Sequence, residues 1–409
     1  MSIGFRVSGT VAGIEELIRR ASTIAKTMGY GIDAGEGEMC LRLCPMGEVE
    51  ITWSADADNQ GLWLVESDCQ TSQVGAGFHK AALELIDGLE LENMVVEDET
   101  DYYSHRDFER MKREHFYPYL KQLLHVCHDL IEQRGSDQVC LCWDLDLYHP
   151  ESVMGTVASA LGRYTLDALD RILEIQGVEA LAQRFFLWEN ETRDEVFYRN
   201  RALYGLWIQC YYVSSSRSEM DREINGSILD DLEKSYAMNC HLPFPYEAYR
   251  EVCGLHGRKP VIEDVEPLTY EFPIGYRKRK IVETLGNLRL TLPGSYLYEW
   301  EENERGGGVN IWCDDSVNSP VWRVSAYHAR EGEAQFSNGL KGVKDYEEYE
   351  ITKGRIRFGW EQHGKGNEKY YIMECEVITG PSFYVITVCY LKPEEREGIV
   401  ELLHRIATN

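Results

Sequence analysis

The segment Gly13-Ile-Glu-Glu-Leu-Ile-Arg-Arg-Ala-Ser-Thr-Ile-Ala-Lys-Thr-Met28 has the pattern of an amphipathic helix. Together with the segments around it, it determines the fold class. Apolar residues recur every three or four positions, which predicts a helix with one buried side. The residues predicted on that side are Ile14, Leu17, Ile18, Ala21, Ile24, Ala25 and Met28. Gly29 supplies the stop signal. Such a helix needs a second layer to cover its apolar face.

Extended segments on both sides of this helix predict that second layer. Short runs with strand composition are bounded by turn residues, and a second helix is expected over 78–89. The predicted strands cover 3–9, 39–44, 49–53, 62–66 and 94–97. Strand, helix, strands, helix and strand in this order predict an α+β domain with a largely antiparallel sheet.

The middle of the chain is predicted to be mainly helical. One helix opens near Ser104, and helical periodicity then runs from about residue 150 to 254, beginning with Val153, Val157, Leu161 and Tyr164. Residues 194–212 are crowded with aromatic side chains. These form either the core of a helical layer or a homodimer face, because both environments favour aromatic residues. The oligomeric state stays open.

A proline-rich stretch separates this helical region from a β-rich end. Proline cannot continue a helix or a central strand, so the prolines between His256 and Tyr276 indicate a linker. Short alternating segments then predict an antiparallel sheet, and a helix follows Pro393. The predicted organisation is an α+β domain over 1–148, a helical layer packed on it over 149–256, a linker over 257–279 and an antiparallel β-rich domain with a terminal helix over 280–409.

The β-rich end resembles a known fold. Its early Leu292-Pro-Gly-Ser-Tyr296 turn, its long hairpins and the Phe383–Tyr390 strand leading into Pro393–Val400 are similar to the PsbP-like fold. The resemblance covers residues 280–409, about a third of the chain. It implies a twisted antiparallel sheet packed by terminal helices, and a role in binding or assembly rather than catalysis. It transfers no functional residue.

The charge of the chain limits its partners. The formal net charge is −27, so the protein repels phosphate backbones and anionic membrane surfaces. The same field accelerates the encounter with a basic protein. The alternative is that acidity serves solubility alone. We therefore expect a protein partner of basic character, no nucleic acid and no membrane.

Cysteine usage and the first residues bear on localisation. The start of the chain shows no apolar run of signal-peptide length, and no apolar stretch approaches a membrane span. Twelve cysteines in 409 residues are too dilute for a disulfide scaffold, so we predict reduced, mostly buried thiols. Together these features predict a cytoplasmic protein.

One predicted strand carries residues suited to catalysis. Alternation over Val139–Leu147 places thiols and carboxylates on one face, and a histidine follows the strand. A thiolate beside histidine is a nucleophile, and paired carboxylates bind a cation or share a proton. The alternative is the solvated face of an antiparallel strand. The candidate residues of a hydrolase, with or without a metal, are Cys140, Asp144, Asp146 and His149.

Metal and cofactor motifs are weak. His125 and His128 lie three apart in one helix beside Cys127, but zinc needs three or four ligands and no spaced partner pair accompanies them. The turn Gly75-Ala-Gly-Phe-His79 precedes a helix and suits either an anion or a plain helix start. It lacks the remainder of a dinucleotide fingerprint. We predict no metal and no cofactor.

An acidic run supplies the candidate partner-binding residues. Glu97, Asp98, Glu99 and Asp101 lie just before a predicted helix, where they suit the helix dipole or contact with basic side chains. No hydrolase elbow, zinc helix or kinase set occurs in a fitting context. The sequence thus favours a non-catalytic acidic protein that binds a partner, and its composition resembles that of bacterial toxin-immunity proteins. An assembly factor and the hydrolase stay open as alternatives.

Overall fold

The computed structural model describes residues 2–56, 61–136, 138–141, 153–159, 161–262, 275–302, 307–314, 320–337, 339–340 and 343–408. The chain divides into two compact units. The N-unit comprises residues 1–145, 152–210 and 222–275, and the C-unit comprises 146–151, 211–221 and 276–409. Each unit has its own antiparallel sheet, so the fold is mixed α+β as predicted.

The N-unit is built around a six-stranded antiparallel sheet. Its strands are β1 (Gly4–Val11), β2 (Gly31–Ala34), β3 (Glu38–Cys44), β4 (Gly47–Ala55), β5 (Trp63–Gln70) and β6 (Glu92–Asp98). They lie in the order β2-β3-β4-β5-β1-β6. Strands β2 to β5 form an antiparallel meander, in which β3, β4 and β5 were predicted and β2 was not. Strand β1 lies between β5 and β6.

Two helices cover one face of this sheet. They are α1 (Ile14–Met28) and α2 (Ala76–Gly88), and both contact β3 and each other. The centre of the predicted apolar face of α1 is buried, with Leu17, Ala21 and Ala25 at most 1% exposed, whereas Met28 at its end is 50% exposed. Among the residues that the structure describes, side chains on the other face are exposed, as for Arg6 on β1 and Glu66 on β5.

The remainder of the N-unit is mainly helical. It contains α3 (Tyr102–His105), α4 (Phe108–Met111), α5 (Tyr117–His128), α6 (Leu166–Gln176), α7 (Val178–Phe185), α8 (Glu195–Tyr204), most of α9 (Glu219–Met238), and α10 (Tyr246–His256). Segments of π-helix occur at Lys112–Phe116, Asp129–Gln133 and Gly205–Gln209. Such segments are rare, and they often mark functional or constrained positions.

The predicted helix start at Val153 is wrong. A small sheet forms there instead, with β7 (Gln138–Cys140), β8 (Thr156–Ser159) and β9 (Gly162–Thr165). Gly155 and Gly162 have φ of +72° and +155°, which breaks a helix at both points. All four residues of β8 are buried, so the strand lacks the alternation of apolar and polar residues by which a strand is recognised in a sequence.

The aromatic stretch in the helical region is largely a core. Phe197, Tyr204 and Trp207 are 1%, 6% and 2% exposed within the N-unit. Side chains this deeply buried cannot form the contact face of a homodimer. The structure therefore supports the core interpretation for these three residues. In the described part of the chain, no helix combines the length and apolar character required to cross a bilayer.

The C-unit contains the predicted β-rich end. Its seven-stranded antiparallel sheet consists of β12 (Leu297–Glu302), β13 (Gly308–Cys313), β14 (Val321–His328), β15 (Lys344–Ile351), β16 (Gly354–His363), β17 (Tyr370–Thr379) and β18 (Ser382–Tyr390). The order is β12-β13-β14-β18-β17-β16-β15. A smaller sheet joins β10 (Lys280–Leu285), β11 (Leu288–Pro293) and β19 (Ala407–Thr408). The predicted terminal helix is α11 (Glu395–Leu403), which buries Ile399, Leu402 and Leu403.

Candidate functional site

Side chains alternate across the N-unit sheet between a helix-covered face and an open face. Along β1, Phe5 and Val7 are buried, whereas Arg6 between them is exposed. The cross-strand partner of Arg6 on β5 is Asp68, and its partner on β6 is Glu97. Residues paired across an antiparallel sheet lie on the same face. All three therefore project from the open side.

Carboxylates dominate this open face. The pairing of strands extends this open face across β2, β3 and β4. Cys40 pairs with both Asp33 and Glu50, and Thr52 pairs with Glu66, so these residues project from the same side of the sheet. The acidic residues on the open face are Asp33, Glu38, Glu48, Glu50, Glu66, Asp68 and Glu97. We call this set, with the residues between them, the acidic face.

A shallow groove runs along the acidic face. Its volume is about 480 Å³, and its lining includes Arg6, Glu50, Glu66, Asp68 and Glu97. Val95 and Ser8 contribute small side chains to it. A groove of this kind is open and polar, unlike the mostly apolar, enclosed pockets that hold small molecules. Its shape suits a protein segment better than a cofactor.

The arginines of the acidic face are already paired. Arg6 Nε donates to Asp68 Oδ2 at 2.8 Å, and this contact raises the pKa of Arg6. Arg42 lies 3.2 Å from Glu48 and 3.8 Å from Asp33. The remaining carboxylates leave a negative potential. Burial raises the pKa of the Cys40 thiol, and the charges of Glu48 and Glu50 raise it further.

The four acidic residues predicted to bind a partner have different environments in the structure. Glu97 is exposed and lines the groove. Glu99 is exposed, but its Oε2 accepts a hydrogen bond from the backbone N–H of Gly4 at 2.8 Å. Asp101 is exposed in a left-handed conformation with φ of 57°. The side chain of Asp98 is only 3% exposed, so this residue is not part of a partner-binding surface.

Asp98 instead belongs to a buried polar network. His79 Nε2 lies 3.1 Å from Asp98 Oδ1, and His79 Nδ1 lies 2.8 Å from the Thr71 hydroxyl. Asp98 also accepts hydrogen bonds from the backbone N–H groups of Thr100 and Tyr103, at 2.8 and 2.7 Å. This network joins α2 to the end of β6, and the sequence analysis did not identify it.

The contacts of Thr71, His79 and Asp98 follow the order of a catalytic triad, but their environment is that of a core. Thr71 and His79 are 0% exposed, and the Thr71 hydroxyl donates to the Ile3 carbonyl at 3.1 Å. The ring of Phe5 packs edge-on against His79, with 5.6 Å between ring centroids. A nucleophile must reach a substrate. The geometry therefore supports a structural role for this network.

Three of the four residues proposed for a hydrolase lie outside the described part of the chain, so that site stays a prediction. Asp144, Asp146 and His149 lie outside the described residues. Cys140 ends β7, and burial raises the pKa of its thiol. A reactive cysteine requires a lowered pKa. Cys140 thus has the properties of a structural thiol.

One member of the helical histidine pair, His128, contacts two carboxylates. His128 Nε2 lies 3.0 Å from Asp170, and its Nδ1 lies 3.4 Å from Glu132. Burial lowers the pKa of His128, but contacts with Asp170 and Glu132 outweigh that effect and raise it. Burial raises the pKa of Cys127 to about 12. Within the described ranges, no group of three or more metal-ligating side chains occurs.

The glycine turn before α2 is a site of close packing. Gly77 N donates to the Trp188 carbonyl at 3.0 Å. A Cβ on Gly77 would lie 2.2 Å from Asn190 O, so a larger residue would displace this segment. The turn therefore starts a helix beside a packed chain segment, and the backbone N–H of Gly77 is already used. This leaves the anion hypothesis without support.

A second buried charge pair also escaped the sequence analysis. Lys112 Nζ lies 3.4 Å from Glu189 Oε1, and the two side chains are 4% and 0% exposed. The rings of Phe108 and Tyr117 lie 5.7 and 5.5 Å from Lys112 Nζ. Burial raises the pKa of Glu189 to about 7, despite the opposing effect of Lys112. No sequence motif links residues 77 positions apart.

Comparison with known proteins gives no family for this chain. No family model matches it, and no curated protein sequence matches it. A solved structure from Bacteroides thetaiotaomicron aligns with 15% identity and a TM-score of 0.25. The alignment covers 32% of this chain and 48% of that protein, so it spans about half of that protein's length. A likeness of this size supports no fold or functional assignment.

Proposed function

We propose that this chain is a non-catalytic cytoplasmic protein that binds a basic partner protein through the acidic face. The observation that carries the proposal is the grooved, open side of the N-unit sheet, where carboxylates outnumber arginines that are themselves paired. The net charge of −27 adds long-range attraction for a partner of opposite sign. A role as an immunity or assembly factor is the specific form that we favour.

The groove explains how such a partner gains specificity. Lysine and arginine side chains of the partner would meet Glu50, Glu66 and Glu97, which project from three different strands. Charges fixed on a rigid sheet select a matching arrangement of charges, and they repel partners of the same sign. The resemblance of residues 280–409 to the PsbP-like fold remains a prediction that agrees with a binding role.

A charge-reversal experiment tests this proposal. In Glu50→Lys/Glu66→Lys we expect capture of basic proteins from a native lysate to fall about tenfold at low salt. Glu174→Lys/Glu223→Lys is the matched control, because it makes the same change in net charge at exposed helical positions. The measurement is quantitative mass spectrometry of the captured proteins at two salt concentrations.

The control separates a local surface from overall charge. Equal loss in both double variants would reduce the effect to net charge and would contradict a binding site on the acidic face. Capture that is unaffected by either change, or by salt, would also contradict the proposal. Circular dichroism of both variants verifies that the sheet still folds.

A further inference from the structure

The seven-stranded sheet of the C-unit ends in an edge strand whose register is uninterrupted. Strand β12 is the first strand of the seven-stranded sheet and pairs with β13 without interruption, from Leu297 to Glu302. In the part of the chain that the structure describes, no backbone hydrogen bond reaches its outer edge. An exposed edge presents unpaired N–H and C=O groups, which are a template for another strand.

The opposite edge strand of the same sheet is interrupted by a register shift. In β15 the register with β16 shifts between Lys344 and Glu347, which interrupts the edge. Tyr349 packs against Phe358, and His404 Nε2 lies 2.9 Å from Glu347 Oε2. Native proteins commonly guard sheet edges in this way. The absence of a register shift in β12 therefore distinguishes this edge.

The side chains of β12 present one aromatic face and one acidic face. Tyr298 and Trp300 are 54% and 55% exposed, and alternation places them on the same side of the strand. Gly308 on β13 allows the Trp300 ring to lie flat, since a Cβ there would be 1.9 Å from Trp300 Cζ2. Large exposed aromatic side chains held in this way are typical of binding surfaces.

Charge indicates the occupant of this edge. Glu299 and Glu301 project from the other face of β12, whereas Glu302 lies on the aromatic side by the same alternation. Glu301 lies 3.5 Å from Arg323, whereas Glu299 and Glu302 form no ion pair with the described residues. A second copy of the chain would place glutamates against glutamates, which is unfavourable. The arginine or lysine side chains of a basic strand would instead form cation–π contacts on the aromatic face and ion pairs on the acidic face.

We propose that β12 binds an extended, basic segment of another protein by strand addition. Backbone hydrogen bonds along the edge provide affinity, and the Tyr298, Trp300 and glutamate side chains provide selectivity. This surface belongs to the C-unit, and its argument does not depend on the acidic face.

The test uses two synthetic peptides of equal charge. The first alternates arginine and valine over eight residues, and the second replaces every valine with proline, which removes the N–H of every second residue and disfavours pairing as a strand. We expect only the first to slow hydrogen exchange, by about tenfold at the outward amides of residues 297–302, at peptide concentrations up to about 1 mM. Equal effects of both peptides, or no slowing with either, would overturn the proposal.

Variants connect the effect to the aromatic face. Trp300→Ala is expected to weaken binding of the arginine–valine peptide about tenfold, whereas Trp63→Ala, at another exposed tryptophan, leaves it unchanged. Glu299→Lys/Glu302→Lys provides a second test that keeps Trp300 in place, and it should weaken binding similarly. Unchanged affinity in both β12 variants would refute the site. Glu50→Lys/Glu66→Lys should leave exchange in β12 unaffected, which separates this surface from the acidic face.

Discussion

Asp98→Ala is expected to lower the free energy of unfolding by about 4 kcal/mol at pH 7. The carboxylate accepts hydrogen bonds from Thr100 N, Tyr103 N and the Thr100 hydroxyl, and it lies 3.1 Å from His79. Alanine leaves these groups without their acceptor in a buried region. An unsatisfied buried polar group costs more than the hydrogen bond itself contributes. Urea unfolding of the variant and the wild type measures the difference.

Glu97→Ala is the matched control for this change. Glu97 precedes Asp98 on the same strand, but its side chain is exposed on the acidic face. We expect a change within about 0.5 kcal/mol, as for most surface substitutions. A loss below about 1 kcal/mol in Asp98→Ala, or an equal loss in both variants, would show that the network does not stabilise the fold.

The effect of Asp98 should depend on pH. Burial alone would raise its pKa, but the hydrogen bond and charge of His79 and the N–H groups of Tyr103 and Thr100 hold that pKa well below its usual range. A lowered pKa in the folded chain adds stability above the unfolded value of about 3.9. This contribution is lost as pH falls through the folded value. The gap between wild type and Asp98→Asn should therefore shrink below about pH 4.

Lys112→Met is expected to cost about 3 kcal/mol at pH 8. The substitution leaves the fully buried carboxylate of Glu189 without its cation, which lies 3.4 Å from Glu189 Oε1 in the wild type. Lys80→Met is the control, because the Lys80–Glu84 pair, at 2.8 Å, has one half-exposed partner and should contribute less than about 1 kcal/mol. Thermal and urea unfolding measure both.

Removing both charges should restore most of the lost stability. In Lys112→Met/Glu189→Leu no unpaired charge remains, and a well-packed apolar pair is often as stable as a buried ion pair. We expect the double variant to recover at least about half of the loss in a double-mutant cycle. If the two single losses simply add, the residues do not act as a pair.

The pH dependence of Glu189 has the opposite sign to that of Asp98. Its pKa of about 7 in the folded chain lies above the ordinary 4.5, so the folded chain holds this proton more tightly. That contribution is fully present below about pH 4.5 and is lost as pH rises through 7. Relative to Glu189→Gln, the wild type should lose about 3 kcal/mol across this window. A flat difference between pH 5 and 8 would contradict the assignment.

Local periodicity predicted much of the architecture. The helix over 14–28 buries Leu17, Ala21 and Ala25 of its predicted apolar face, and the strands predicted over 39–44, 49–53 and 62–66 occur close to those positions. The prediction of a helix from Val153 was wrong because a short, continuous apolar segment is compatible with either a buried strand or a buried helix. The glycines at 155 and 162 could have indicated that no helix forms here, because glycine often ends helices.

The sequence by itself determined the total charge, the composition of each face and the alternation that separates Glu97 from Asp98. It could not determine which face of the sheet the helices cover, because that depends on packing between distant segments. Only the tertiary structure placed Asp98 beside His79 and Lys112 beside Glu189. Those pairings arise from long-range contacts, whereas periodicity reports only neighbours along the chain. For the same reason, the sequence did not show that one residue of the acidic run, Asp98, is buried, whereas Glu97, Glu99 and Asp101 are exposed.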